Sequence, residues 1–402
     1  MGVTIPSFAK INLGLRIGAL RADGFHELRT AYQTIALHDV IRVSVERGSG
    51  IEIRCDDPRV PQDATNTCWR IADLAMRALK ARGRAVIEIE KKLPVQGGLG
   101  GASGNAVAAL LGLERALGEE LSGEERLRIA AEVGSDLPLF LIGGTVLGVG
   151  RGEEVYPLPD LPSVACVIAL PEVAISTPQA FGDWDSVSAE IVNGKGTASS
   201  RAVRGQEEID GTAESRALPA NSEKQVPRLG DHSQANHLAS LGMTSRQKGK
   251  LINPTPSDRM LMFSREISAW LGAAPSVGRR RSGVSARSGG RAENPLLDLV
   301  RTGIENDFER VVFPQHPELR EVKSVLERAG ARYSSLSGSG SAIYGLFDSR
   351  QKAAAAANKM QRSGVRAVVT STLTRRQYSK RLLATNSSLL ARQRLGSLEA
   401  SG

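Results

Sequence analysis

The chain has 402 residues, 41% of them apolar and 24% charged, with 42 Gly, 18 Pro and three Cys. At about 100–200 residues per domain that length allows two or three domains, and the composition excludes collagen-like, disulfide-stapled and wholly disordered classes. Lys and Arg total 52 against 43 Asp and Glu, a net charge of +9, which raises the question of a nucleic-acid partner.

In chain order, residues 5–54 alternate apolar and polar positions in short bursts divided by turns such as Ala22-Asp23-Gly24, which predicts several strands. Trp69, Ala72, Met76 and Leu79 recur at spacings of 3 and 4 and predict an amphipathic helix over 66–82. Ala85–Glu90 reads as a strand, Leu93–Gly104 as a Gly-rich loop, and Asn105–Leu117 and Gly123–Val133 as helices. Gly143–Gly152 is a Gly-punctuated strand region and Val164–Leu170 a buried strand. Strands and helices mix without a strict βαβ rhythm, so the fold class is α+β.

After Glu190 the texture changes to Ser, Gly, Asn, Gln, Lys and Arg without sustained periodicity. One short helix carrying Met260, Phe263, Ile267 and Trp270 is expected there, followed by a basic segment around Arg279–Arg281. Ordered texture resumes at Asn294. Residues 186–292 hold sixteen basic and nine acidic side chains, and residues 375–402 hold six and one. The remainder is therefore mildly acidic, at −3. The positive charge belongs to an insertion and a tail, which argues against a nucleic-acid partner for the body. No apolar run approaches the roughly 18 residues needed to span a bilayer, no signal peptide is visible, and three distant Cys suggest a reducing compartment. A cytoplasmic protein with no membrane partner is expected.

The strongest local feature is VQGGLGGASGNAVAALLGL at 95–113, a strand entering a loop with four Gly in five positions and then an apolar helix. Gly97, Gly98, Gly100 and Gly101 can adopt φ > 0 and let backbone N–H groups approach a ligand. The helix start aims its unpaired N–H groups at the same place, which is the construction of a phosphate cradle. It matches neither G-x-x-x-x-G-K-[ST] nor G-x-G-x-x-G, and a Gly-rich turn serving close packing is the competing reading. GGTVLGVGRG at 143–152 and SLSGSGSAIYGLF at 336–347 are weaker clusters of the same kind.

PSFAKINLGL (6–15), LPVQGGLGGASGNA (93–106), GSDLPLFLIGG (134–144) and LSGSGSAIYGLF (336–347) resemble, in order and near-family spacing, the motifs of the GHMP-type small-molecule kinases. RADGFHEL (21–28), ISTPQAF (175–181) and NDFE (306–309) resemble the branch acting on 4-diphosphocytidyl-2-C-methyl-D-erythritol, on the non-mevalonate route to isoprenoid precursors. The resemblance covers about 1–185 and 294–374. It implies a kinase domain like domain 2 of ribosomal protein S5 at 1–162 and a ferredoxin-like domain at 163–374. The second would be interrupted by the insertion at about 190–292, and 375–402 would be a disordered basic tail. It also implies ATP as donor, Mg²⁺ as the expected ion, a small-molecule substrate, and a monomer or homodimer.

Carried over residue by residue, the resemblance makes Asp136 the catalytic aspartate and Lys10 the catalytic lysine. Outside the family pattern, Asp136 would read as a turn or cap and Lys10 as an edge-strand charge. Gly97, Gly98, Leu99, Gly100, Gly101, Ala102, Ser103 and Gly104 match the phosphate loop, with Lys91, Pro94 and Asn66 near the adenine. Phe25 and His26 match the cytosine-recognition stretch, Phe181 a second stacking aromatic and Thr177 a nearby polar contact. Tyr32 and Asn12 match positions beside the methylerythritol chain. Departures are Phe25 where Tyr is usual, Thr67 for Leu, Gln96 and Ala102 for Gly, and Gly104 for a second Ser, which removes a possible phosphate or metal contact. Alternatives are another GHMP kinase, of homoserine or mevalonate type, and a non-catalytic kinase-like protein binding nucleic acid through its basic segments.

Overall fold

The structure, a computed structural model, describes residues 2–95, 97–160, 162–192, 260 and 304–383. Apart from Met260, the helix expected around Met260–Trp270 lies outside the described residues, as do the Arg279–Arg281 run and nearly all of the insertion.

Strands β1 (Val3–Leu20) and β2 (His26–Glu46) form a long antiparallel hairpin. Its turn closes through Arg21 N–H to Phe25 O at 2.7 Å, with Gly24 at φ +82°. β1 follows one edge of β2 along its whole length. The other edge is shared end to end by β5 (Thr145–Val149), against residues 30–33, and β4 (Arg84–Glu90), against 40–46. β3 (Gly50–Cys55) adds in parallel to β4, and β6 (Glu154–Pro157) pairs with β5. A second, antiparallel sheet runs in the order β10 (Arg366–Ser371), β7 (Ala165–Leu170), β9 (Ile343–Phe347), β8 (Tyr333–Leu336).

Three apolar cores make four layers of these sheets and their helices. On one face of the first sheet pack α1 (Thr67–Ala78), α2 (Gly101–Leu117), α3 (Gly123–Val133) and α4 (Leu137–Ile142), around Ile41, Val43, Ile71, Leu110, Leu113 and Phe140. Between the sheets, Ala9, Ile11, Leu13 and Ile35 meet Cys166, Ile168, Tyr344 and Leu346. The far face of the second sheet is covered by α5 (Thr177–Val192), α6 (Glu309–Gln315), α7 (Pro317–Arg328) and α8 (Arg350–Arg362). The expected α+β class is observed, in a two-sheet architecture.

Two local expectations change, and a stretch without an assigned element forms a helix. The helix after the Gly-rich loop begins at Gly101 rather than Asn105, because Gly100 in the left-handed region (φ +67°) already caps it. The stretch after Asp136 is the short helix α4. The chain after 374 is not tail at once: α9 (Arg375–Leu383) buries Tyr378 and Leu382, four residues apart, in the first core beside Phe8 and Phe140. Tyr378 Oη donates to Phe140 O at 2.5 Å. The six basic and one acidic residues of 375–402 concealed that apolar stripe, since composition reports charge and not which face carries it.

Every residue from Ile5 to Gly18 is buried, because β1 is used by both sheets. Tyr344 Oη donates to Asn12 O at 2.8 Å and Tyr333 Oη to Leu13 O at 2.9 Å. Further along, Leu15 exchanges backbone hydrogen bonds with Glu305 and Asp307. Arg16 Nη1 lies 2.9 Å from the fully buried carboxylate of Asp307, which also accepts from Ile17 N–H at 3.0 Å. Removing one member of a buried pair leaves the other charge uncompensated, which costs about 3–5 kcal/mol. Arg16→Met is therefore expected to lower unfolding stability by about that amount in a denaturant titration. A midpoint equal to wild type would mean the pair does not tie the halves together.

Candidate active site

The centre of the site is a cation on a buried strand. Lys10 is 3% exposed, and a buried ammonium without partners is costly. Its Nζ donates to Asn12 Oδ1 at 2.7 Å and lies 3.3 Å from Asp136 Oδ2. Lys10 and Asn12 are two apart on β1 and so share a face. Register shifts at Phe8/Ala9 and just after Asn12 bracket the pair, as bulges do where a strand must re-aim side chains. Asn12 is held in turn, its Nδ2 donating to Thr30 Oγ1 at 2.8 Å, whose hydroxyl donates to Gly14 O.

Asp136 occupies the N-cap position of α4 yet makes no side-chain cap bond. Instead Oδ1 accepts from Tyr32 Oη at 2.9 Å, while Oδ2 faces Lys10. One third of its side chain remains exposed, toward a cavity of about 710 Å³. Burial, and then the Asp136 carboxylate, push the Tyr32 phenol well above its ordinary range, so it remains a neutral donor.

The Gly-rich loop passes directly over this cluster. Leu99 O accepts from Lys10 N–H at 2.9 Å, and a Cβ on Gly100 would lie 3.0 Å from Lys10 Cγ and from Phe140 Cζ. Gly98, at φ +71°, abuts the other sheet's loop so closely that a Cβ would fall 2.0 Å from Ser337 O. Ser337 Oγ donates to Gly98 O at 3.0 Å and Ala342 N–H to Gly97 O at 3.3 Å. The first helical hydrogen bond of α2 is Gly104 N–H to Gly100 O, leaving the earlier N–H groups outside the helical ladder.

The loop is also a partition. On its far side is a second cavity of about 320 Å³, lined by Asn66, Lys91, Pro94, Leu99, Gly101 and Ala102, while Gly98, Gly100 and Ser103 line both. Asn105 Oδ1, buried and without a hydrogen bond, is on the second cavity's wall. An unpaired acceptor, a helix N-terminus and a glycine cradle fit a phosphorylated nucleotide.

Several expected residues are engaged differently. Asn66 caps α1, its Oδ1 accepting from Cys68 N–H at 2.8 Å and its Nδ2 donating to Pro61 O, so both polar ends are already used. Lys91 is paired with the buried Asp39. Gly104 faces β1 rather than a cavity, and a Cβ there would lie 2.7 Å from Phe8 O, so close packing explains the missing serine.

At the outer end of the larger cavity, His26 stacks on Phe181 (centroids 4.9 Å apart, planes at 10°), and its Nε2 is 2.7 Å from Asp185 Oδ1. Phe308 meets Phe181 at 75°. One face of Phe181 is thus given to the imidazole, so it is not an open platform for a base. Phe25 is half exposed at the mouth with the Arg151 guanidinium over its ring at 4.9 Å. Thr177, at the start of α5, and Ser339, in the loop between β8 and β9, share a hydroxyl hydrogen bond of 2.8 Å.

Sequence reasoning did not single out Ser337, Ser339, Arg151 or Asp185. The two serines and Arg151 lay in Ser/Gly clusters whose signal was too common to assign. Asp185 stood in a stretch without any signal.

Residues 66–144 match the family of GHMP kinases N terminal domains, and residues 293–366 match GHMP kinases C terminal. Among solved structures, the fold is similar to a crystal structure of 4-(cytidine 5'-diphospho)-2C-methyl-D-erythritol kinase. The TM-score is 0.58 and the identity 24%, over 92% of this chain and 98% of that one. Homoserine kinase from Cytophaga hutchinsonii shares the fold at a TM-score of 0.57 and 18% identity, over 93% and 95%. The chain is a GHMP kinase in fold and loop architecture. It is 32% identical to the 4-diphosphocytidyl-2-C-methyl-D-erythritol kinase of Solibacter usitatus, over 86% of this chain and 81% of that protein. It is 31% identical to that of Acaryochloris marina, over 89% and 91%. The chain belongs to the 4-diphosphocytidyl-2-C-methyl-D-erythritol kinase family.

Tyr32→Phe, which removes one of the two groups holding Asp136, is expected to lower kcat about tenfold, or about 1.4 kcal/mol of barrier. The KM for ATP should stay near wild type. Because the raised phenol does not ionise near neutrality, the kcat–pH profile between about pH 7 and 9 should keep its shape in the variant. An alkaline limb present in wild type and absent in Tyr32→Phe would show that the phenol titrates there.

Proposed function

We propose that this chain uses ATP to phosphorylate the 2-hydroxyl of 4-diphosphocytidyl-2-C-methyl-D-erythritol, a step toward isoprenoid precursors by the non-mevalonate route. The observation that carries this reading is the Lys10–Asp136–Tyr32 cluster beside a glycine partition with one cavity on either side. Such an arrangement lets a donor phosphate and an acceptor hydroxyl meet across a loop while the rest of each molecule stays on its own side.

In this reading the two cavities take different ends of the reaction. ATP occupies the smaller, with its phosphates on the N–H groups of Gly98–Ser103. The methylerythritol chain lies along Asn12 and Tyr32, and the cytidine end reaches His26, Phe25, Thr177 and Phe181. The exposed oxygen surface of Asp136 aims the acceptor hydroxyl and accepts its proton as the new bond forms. Phosphoryl transfer is usually loose, so orienting the hydroxyl in line is a large share of the task, and orientation can supply about 7–11 kcal/mol. Lys10 Nζ offsets charge on the transferring oxygens, already held at Asp136 by Asn12 and by the backbone bond to Leu99.

Magnesium characteristically keeps several waters and takes one or two carboxylates beside substrate phosphates. Among the described residues no cluster of three His, Cys, Asp or Glu could hold a metal by itself. The donors that fit a phosphate-bound Mg²⁺ are the Ser103 hydroxyl and Asp136, both on the larger cavity. The ion would neutralise phosphate charge there.

We further read residues 1–162 and 163–374 as two domains, with α9 returning to the first. We read the protein as cytoplasmic, monomeric or homodimeric, and without nucleic-acid or membrane partners. Its three free cysteines support a reducing compartment, and burial pushes the Cys68 thiol up to about 12, which removes it as a nucleophile. No described helix is long and apolar enough to cross a membrane.

Two measurements test the reading. In an ATP-coupled assay, Asp136→Asn is expected to lower kcat at least a hundredfold, about 2.7 kcal/mol, while nucleotide affinity persists. Turnover near wild type would remove Asp136 from the chemistry. With the wild-type chain, kcat/KM for the cytidyl substrate should exceed that for cytidine-free methylerythritol phosphate at least a hundredfold. Equal efficiency would contradict a cytidine subsite.

A further inference from the structure

The outer end of the larger cavity holds a contact that the phosphoryl-transfer reading does not use. His26 Nε2 is 2.7 Å from Asp185 Oδ1, with the imidazole side chain 6% exposed and the carboxylate 52% exposed. Asp185 and Phe181 are four residues apart on α5 and so project from one face of that helix. From that face the Phe181 ring lies against the plane of the imidazole while the Asp185 carboxylate meets its Nε2 edge. Phe308, at the start of the neighbouring helix α6, backs Phe181. The imidazole is therefore fixed in plane and in rotation. Its other nitrogen, Nδ1, makes no hydrogen bond among the described residues, and His26 lines the cavity.

We propose that Asp185 is a positioning residue for base recognition: it holds His26 as the Nε2–H tautomer, so that Nδ1 meets the substrate base as a hydrogen-bond acceptor. The chemistry is strict. A neutral imidazole carries one N–H, and an ionised carboxylate only accepts hydrogen bonds, so the proton must sit on the nitrogen that faces Asp185. A lone pair then remains on Nδ1. A pyrimidine with an exocyclic amino group, as in cytosine, offers that lone pair a donor. One with a carbonyl at the same place, as in uracil, opposes it with another acceptor, and both groups lose their water without gaining a partner. The carboxylate thereby sets the base preference without touching the base. This rests on the assignment of the larger cavity to a cytidyl diphosphate, and the measurements separate the two.

The full-length chain with ATP and Mg²⁺ would be assayed at pH 8 on the cytidyl substrate and on its uridyl counterpart, for wild type, Asp185→Ala and Asp185→Glu. In Asp185→Ala the KM for the cytidyl substrate should rise about tenfold, with kcat within about twofold and the KM for ATP as the control for folding. The cytidyl-over-uridyl preference should shrink by a similar factor, and Asp185→Glu should recover part of it. ¹⁵N NMR of assigned His26 should show Nδ1 unprotonated in wild type and a tautomer mixture in Asp185→Ala. An active wild type beside an Asp185→Ala variant with unchanged KM and base preference overturns the proposal alone, whatever the tautomer. So does a proton on Nδ1 in wild type. A wild type that uses neither substrate while keeping the Nε2–H tautomer overturns the base-reading step together with the cavity assignment.

Discussion

The buried ammonium of Lys10 is the constraint on which the rest of this structure depends. A strand covered on both faces has no water to offer a cation, so the fold must bring partners to it or lose the strand. It brings Asp136 from the start of α4 and Asn12 from the same strand, and lays the Gly-rich loop over the lysine stem at a distance only glycine allows. The groups that satisfy the lysine are those a phosphoryl transfer needs: a carboxylate with one exposed face, a fixed positive charge, and backbone N–H groups within reach of both. In the proposed reaction, stability and catalysis would share this one set of contacts.

β1 is the element that makes this sharing possible. It pairs with β2 along its whole length; its start packs under the helices of the first sheet, its middle packs between the sheets, and its end is tied to Asn306 and Asp307 of the other half. The cavity walls belong to both halves for the same reason. Gly98 and Ser337 abut, and His26 meets Asp185 across the cleft. Relative movement of the halves would alter the Gly-rich loop and the outer end of the larger cavity together.

Much of the fold was legible in sequence because its signals are local. Gly123–Val133 was read as a helix to the residue, and β4 and β7 as strands each to within one residue. The phosphate loop announced itself because glycines must be contiguous to line a cradle. Less was legible where one residue type serves two purposes. Asn66 lines the smaller cavity but is a helix cap with both polar ends engaged, and Gly104 belongs to helix–strand packing although it sits inside the Gly-rich motif. The helix inside the basic tail was missed because two buried apolar residues do not alter a composition.

From the sequence alone came the element types, the glycine cradle, and the resemblance that pointed to Lys10 and Asp136. It also separated the charge of the insertion and tail from a mildly acidic body, so that +9 says little about the site. Only the tertiary structure decided which groups act on one another. Tyr32 and Asp136 are 104 residues apart, His26 and Asp185 159, and Gly98 and Ser337 239. No periodicity spans such distances, because pairing across them is set by how two sheets stack on one shared strand. Local pattern reports what a segment can form. Which side chain holds the Asp136 carboxylate, and which one holds a histidine, follows from the packing of segments against each other.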